Sequence, residues 1–221
     1  METKRIKISS QYDLSSIVKT VNEPKALILL LHGYCQRGSF IFNKLINYLP
    51  NSAEVHSPTA PFPLLSGHPL EKRDKKKKLI VGNAWYFYDA DKNKFHIDYD
   101  IPVNLLNQYL ELNNPKNLPI IAIGYSQGGY LLPFLALKNE RINHIIGINC
   151  SYRVDLLKSS INCKADAING ADDMLVDPYL AYKRQIELFG EFVLLENENH
   201  FLTNRFGIEV DRLLKQSPSL D

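Results

Sequence analysis

Leu118 to Gly129 reads LPIIAIGYSQGG: an uninterrupted apolar run, then Gly124-Tyr125-Ser126-Gln127-Gly128, then a further glycine. An apolar run without alternation is the mark of a strand covered on both faces, and helix-spaced residues from Tyr130 to Leu137 follow it. The stretch therefore predicts a buried strand turning sharply into a helix, with G-x-S-x-G at the turn. Such a turn forces the serine backbone into a strained conformation, and the flanking glycines remove the Cβ atoms that would collide. Ser126 Oγ would stand clear of the strand as a candidate nucleophile. The amide of Gln127, at the start of the helix, would point at a developing oxyanion. The bland alternative is a glycine-rich turn that only packs closely.

Outward from this stretch the same grammar repeats. Lys25 to His32 (KALILLLH) is a second continuous apolar run, and His144 to Asn149, Glu191 to Leu195 and the small-residue run Cys163 to Gly170 read as further strands. Between them lie helical stripes: Phe40 to Leu49, ended by Pro50; Val103 to Leu112; Leu180 to Phe189; and Phe206 to Leu214. Each stripe is read as core. Strands alternating with helices of this length predict an α/β chain with a doubly wound, mostly parallel sheet and helices on both faces. Ile6 and Ile8, with Ile17, Val18 and Val21, suggest a pair of short amphipathic strands ahead of it. Residues 57–100 break the alternation, with five proline or glycine positions, a lysine run and then Gly82 to Asp89 (GNAWYFYD). This is read as a long loop excursion whose aromatic cluster packs in part.

Composition bounds the rest. A chain of 221 residues, 45% hydrophobic and 23% charged, fits a single domain that buries roughly 70% of its unfolded surface. The formal net charge of +2 conceals one local feature, since Glu71 to Lys78 (EKRDKKKK) carries a net +4 and leaves the remainder at −2. A mildly acidic body argues against a nucleic-acid partner. Three cysteines, Cys35, Cys150 and Cys163, without CxxC spacing suggest neither a disulfide framework nor a zinc site. The N-terminus is polar, and Ala26 to Leu31 is too short for a signal segment or a membrane span. A soluble cytoplasmic protein is expected, which leaves Asn149-Cys150-Ser151 without meaning as a glycosylation match. Nothing bears on oligomeric state.

A serine hydroxyl needs a base to remove its proton, and that base needs an orienting carboxylate. For a strand-borne nucleophile of this kind the acid and then the histidine follow in the chain. Only His144 and His200 follow Ser126. His144 begins an apolar strand and reads as structural; His200 follows a strand in the loop ENENH, where a base could reach the strand ends. The acid should close the preceding strand, where Gly170-Ala171-Asp172-Asp173-Met174-Leu175-Val176-Asp177-Pro178 offers three carboxylates. Asp177, before Pro178, reads as a helix cap, and spacing does not separate Asp172 from Asp173. Leu31-His32-Gly33-Tyr34-Cys35 ends the first buried strand, where Gly33 permits a turn and the Tyr34 amide would supply a second oxyanion donor. His32 there reads as a loop-fixing residue and Cys35 as packing.

With these pieces in order, the sequence resembles the α/β-hydrolase superfamily, and within it the small phospholipase/carboxylesterase branch that includes acyl-protein thioesterases. The resemblance rests on Leu31-His32-Gly33, Thr59-Ala60-Pro61, Ala84-Trp85, Gly124 to Gly129, Gly170 to Val176 and His200. It implies a Ser126, Asp173, His200 triad, because Gly170, Asp173 and Val176 fall on the family's G-x-x-D-x-x-V pattern. It also implies hydrolysis of a small-molecule ester or thioester through an acyl-enzyme, without metal or organic cofactor. The opening LHGYCQRGSFIFNKL is similar to the fungal-type family of small serine hydrolases. Two departures stand out. Pro133 falls inside the helix after Ser126, where a kink is expected. The lysine run replaces what in the thioesterase branch is a short hydrophobic loop by the acyl channel. Tyr34, Trp85, Tyr86 and Phe87 are candidates for the acyl wall, the alternative being that the aromatics anchor the excursion. The lysine run reads as a solvated, mobile loop, the alternative being that Lys75 to Lys78 draw in anionic substrates or touch a membrane surface weakly, without stable insertion. Two other readings compete: a catalytically silent binding protein of the same fold, and a nucleotide-binding protein. The second lacks G-x-G-x-x-G and Gly-Lys-Ser/Thr.

Overall fold

The computed structural model describes residues 12–65, 80–89, 94–96 and 99–220. In chain order the elements are β1 (Ser16–Lys19), β2 (Ala26–Leu31), α1 (Gly38–Leu45), β3 (Ala53–Pro58), β4 (Phe62–Leu65), β5 (Ile80–Ala84), β6 (Phe87–Asp89), β7 (Lys94–His96), α2 (Asp100–Asn113), β8 (Ile120–Tyr125), α3 (Gln127–Lys138), β9 (Ile142–Ile148), β10 (Lys164–Gly170), α4 (Pro178–Gln185), β11 (Phe192–Leu195) and α5 (Asn204–Leu214). Seven strands form one sheet in the order β1-β3-β2-β8-β9-β10-β11. Only β1 runs antiparallel, Ser16 lying opposite Pro58; the other neighbours are parallel.

Every residue of β2 and β8 is buried, as expected of strands covered on both faces. Leu27, Leu29 and Leu31 point into a core shared with α2 and α3, including Val103, Leu106, Leu131 and Leu135. The alternate residues Ile28 and Leu30 meet Ile41 and Leu45 of α1 and Phe206 and Val210 of α5 on the opposite face. From β2 the chain first steps outward to β3 and later returns to place β8 on the other side of β2. The crevice outside the carboxyl ends of two such strands is where open α/β sheets bind ligands. Here those ends carry His32-Gly33 and Tyr125-Ser126, held side by side by the Leu31–Gly124 register.

Several expectations are changed. Residues 57–100 are more than a loop: besides the end of β3, they contain two small antiparallel sheets, β4 with β5 and β6 with β7. These strands are short and rich in proline, glycine and polar residues, which hid them. The stripe from Leu180 to Phe189 is not core, since Leu180, Ile186 and Phe189 are all exposed. α4 instead turns Ala181 and Gln185 inward, and the Gln185 amide donates to the Ala165 carbonyl. α3 continues through buried Pro133 from residue 127 to 138. The strand suggested around Ile6 and the basic run at 71–78 lie outside the described residues. Among the described residues, no helix is long and apolar enough to cross a membrane.

His144 is buried at the start of β9, the end of the sheet away from Ser126, with Nε2 2.8 Å from Asp166 Oδ2. Burial pushes the Asp166 carboxyl up, but hydrogen bonds from His144, the Glu191 amide and Lys164 outweigh it and hold the group below the usual carboxylate range. That pairing gives His144 a structural role at a distance from the site.

Candidate active site

Ser126 sits between β8 and α3 at φ 49° and ψ −118°. Its amide donates to the Ile148 carbonyl at 2.8 Å, and its carbonyl accepts from the Gly129 amide at 2.9 Å, so the turn is held on both sides. The glycines are required by contact: a Cβ at Gly124 would lie 2.6 Å from the Gly128 carbonyl, and one at Gly128 only 2.4 Å from the Leu31 oxygen. A non-glycine residue at positive φ is strained, and such strain concentrates at functional turns.

His200 Nε2 lies 3.0 Å from Ser126 Oγ, and His200 Nδ1 lies 2.7 Å from Asp173 Oδ2. A carboxylate can only accept, so Nδ1 carries the proton and the Nε2 lone pair faces the serine hydroxyl. Asp173 is buried, and its other oxygen accepts from the amides of Leu175 (2.8 Å) and Val176 (3.0 Å). Asp172 is exposed. Asp177 caps α4, accepting from the amides of Tyr179 and Leu180. Two residues with no role in the sequence reading hold His200. Tyr125 Oη donates to the His200 carbonyl at 2.7 Å, and Asn149 Nδ2 donates to it at 2.9 Å. Asn149 Oδ1 also accepts from the Gly170 amide at 2.9 Å, tying the strand that leads to Asp173 to the loop that bears His200. Its place immediately after β9 was the available signal, passed over with the glycosylation match.

Facing Ser126 is the loop after β2. The Ala60 amide donates to His32 Nε2 (2.9 Å), which fixes the other nitrogen as the donor to the Gly33 carbonyl (2.7 Å). His32 is therefore a neutral loop fastener. Burial pushes its pKa down to about 4, against a smaller upward pull from the bond to Gly33. Above pH 6.5 this costs nothing, because the ring is neutral folded or unfolded. Between pH 6.5 and 4 the unfolded chain takes up a proton that the folded chain refuses. The His32 contribution is expected to lower stability by roughly 3 kcal/mol from pH 7 to pH 4. Urea midpoints measured across this range should fall more steeply for the wild type than for His32→Gln; equal slopes would contradict the assignment.

The aromatic residues divide. Tyr34 and Phe87 are 47% and 50% exposed, but Trp85 and Tyr86 are only 0% and 3% exposed. A wall that a ligand touches needs accessible surface, so Trp85 and Tyr86 are corrected to anchors. Trp85 Nε1 donates to the His32 carbonyl at 2.9 Å, and the Tyr86 ring packs edge-on against Tyr99. Among the described residues, neither the Tyr34 nor the Gln127 amide is spent on another hydrogen bond.

A family model described as serine hydrolase (FSH1) matches residues 21–187. The chain belongs to this family. Solved structures share its α/β-hydrolase fold over nearly the whole chain. Esterase PE8 superposes with a TM-score of 0.72 at 17% identity, covering 92% of this chain and 98% of that one. The Bacillus cereus carboxylesterase gives 0.72 at 16% identity, with 92% and 94% covered. Zea mays acyl-protein thioesterase 2 gives 0.69 at 17% identity, with 94% and 99% covered. No curated protein matches the sequence. The family match includes Ser126 and Asp173 and stops short of His200, whose place opposite the serine comes from the fold.

Proposed function

We propose that the protein hydrolyses carboxylic esters or thioesters through an acyl-enzyme on Ser126. What carries this reading is the continuous hydrogen-bond chain from Ser126 Oγ through His200 to Asp173. His200 Nε2 takes the hydroxyl proton as Oγ attacks the carbonyl carbon, and the carbonyl π electrons move onto its oxygen. The amides of Tyr34 and Gln127 receive that oxyanion, and Asp173 stabilises the imidazolium. Collapse expels the leaving group, which takes the proton from His200. Water, deprotonated by the same nitrogen, then releases the acid and restores Ser126. The sequence of steps calls on no metal or organic cofactor. Apolar surface for the acyl group is offered by Tyr34 and Phe87, and by Met174, Leu175 and Phe201, exposed residues that directly follow Asp173 and His200 in the chain.

The test is a panel of p-nitrophenyl esters and acyl thioesters of increasing chain length. Turnover that depends on Ser126 is expected for at least the short esters, and a fluorophosphonate probe should label the wild type. No Ser126-dependent turnover and no labelling would leave the protein a silent member of its family.

A further inference from the structure

The excursion contributes one segment to the site, and the contacts of that segment are specific. Gln127 is almost wholly buried, and its side chain satisfies both of its polar atoms on the same two residues. Oε1 accepts from the Trp85 amide at 2.9 Å, and Nε2 donates to the Tyr86 carbonyl at 2.8 Å. A primary amide offers an acceptor and a donor side by side for this pairing. At its other end the segment grips the loop that bears Tyr34. The Asn83 amide donates to the Gln36 carbonyl at 2.8 Å, Asn83 Nδ2 donates to the Ala60 carbonyl at 2.8 Å, and Gln36 Oε1 accepts from the Gly33 amide at 2.9 Å. Gly82 lies so close to this loop that a Cβ there would sit 2.1 Å from the Cys35 oxygen. Trp85 Nε1, bonded to the His32 carbonyl, fastens the middle.

We propose that residues 82–86 act as a strap that sets the spacing of the two oxyanion donors, with Gln127 serving through its side chain as a positioning residue for its own backbone amide. The inference rests on the catalytic reading given above. The two amides come from different strand ends, and the Leu31–Gly124 register fixes the strands but not the turns beyond them. The strap bonds to both turns at once. A donor displaced by about 1 Å loses little for the ground-state carbonyl and much for the transition state, since misplacement of that size can cost about a hundredfold in rate.

Gln127→Glu keeps shape and acceptor and, as a carboxylate, lacks the donor to Tyr86; Trp85→Phe keeps an aromatic ring but removes the bond to His32 together with part of the buried indole volume. On a short p-nitrophenyl ester, Gln127→Glu is expected to lower kcat about 10- to 100-fold with KM changed less than about twofold. Inhibition by an aryl trifluoromethyl ketone, which forms a tetrahedral oxyanion on the serine, should weaken in step with the loss in kcat/KM. Trp85→Phe should show the same split at smaller size, and it carries the test if Gln127→Glu does not fold. A kcat unchanged in the folded variants, or a rise in KM alone, would overturn the strap. Absence of Ser126-dependent turnover in the wild type would instead overturn the catalytic reading.

Discussion

Ser126→Ala is expected to lower kcat on a short p-nitrophenyl ester by about a millionfold and to abolish fluorophosphonate labelling. The size follows from the triad acting as a unit: without the nucleophile the base and acid have nothing to activate, and losing the nucleophile or the base costs about as much as losing all three. A residue of catalysis over water would persist from the oxyanion donors, so the baseline is the buffer rate multiplied by that residue, not zero. The substitution should leave the fold intact. Ser126 Oγ bonds to His200 and to no other described residue, and alanine fits wherever serine does apart from that bond. Thermal unfolding within a few degrees of the wild type, with labelling lost, is the expected pair of results. Labelling retained by the folded variant would place the nucleophile elsewhere.

Asp173→Asn is expected to lower kcat about ten-thousandfold, the loss seen when a triad histidine is left in the wrong tautomer. The local bonds explain why an isosteric change should do this. Asp173 Oδ1 accepts from the Leu175 and Val176 amides. An asparagine oxygen would be drawn to those two donors, which turns its NH2 toward His200 Nδ1. That nitrogen must then accept, the proton moves to Nε2, and a donor faces Ser126 where an acceptor is required. Asp172→Asn is the control, expected to change kcat less than about twofold because the side chain is exposed. The reverse order of effects, measured on the same ester, would transfer the role to Asp172.

The doubled aspartate shows where reading from sequence stops. β2 and β8 were legible because burial on both faces forces continuous apolarity, and the serine turn because its glycines answer contacts under 3 Å. His200 was legible from chain order. Asp172 and Asp173 are adjacent and identical in type, and what separates them is which way the turn after β10 faces. That direction is set by two backbone amides downstream, and spacing alone does not encode it. Trp85 and Tyr86 fail for a related reason: an aromatic pair in a loop looks the same whether it meets a ligand or a core. The deciding partner, Gln127, lies about 40 residues away in the chain. The outward stripe of α4 obeys helical periodicity and still misleads, because periodicity gives a face without saying whether the sheet or the solvent receives it.

The contact between Ser126 and His200 joins positions 74 residues apart, and His200 is held in place by Tyr125 and Asn149, which precede it by 75 and 51 residues. During synthesis the serine turn therefore emerges long before anything that could activate it. On the proposed mechanism Ser126 would stay an inert hydroxyl until β11 lies at the sheet edge and residue 200 reaches the strand ends. Hydrolytic competence would thus need the last strand of the sheet in place, and turnover would then report its docking.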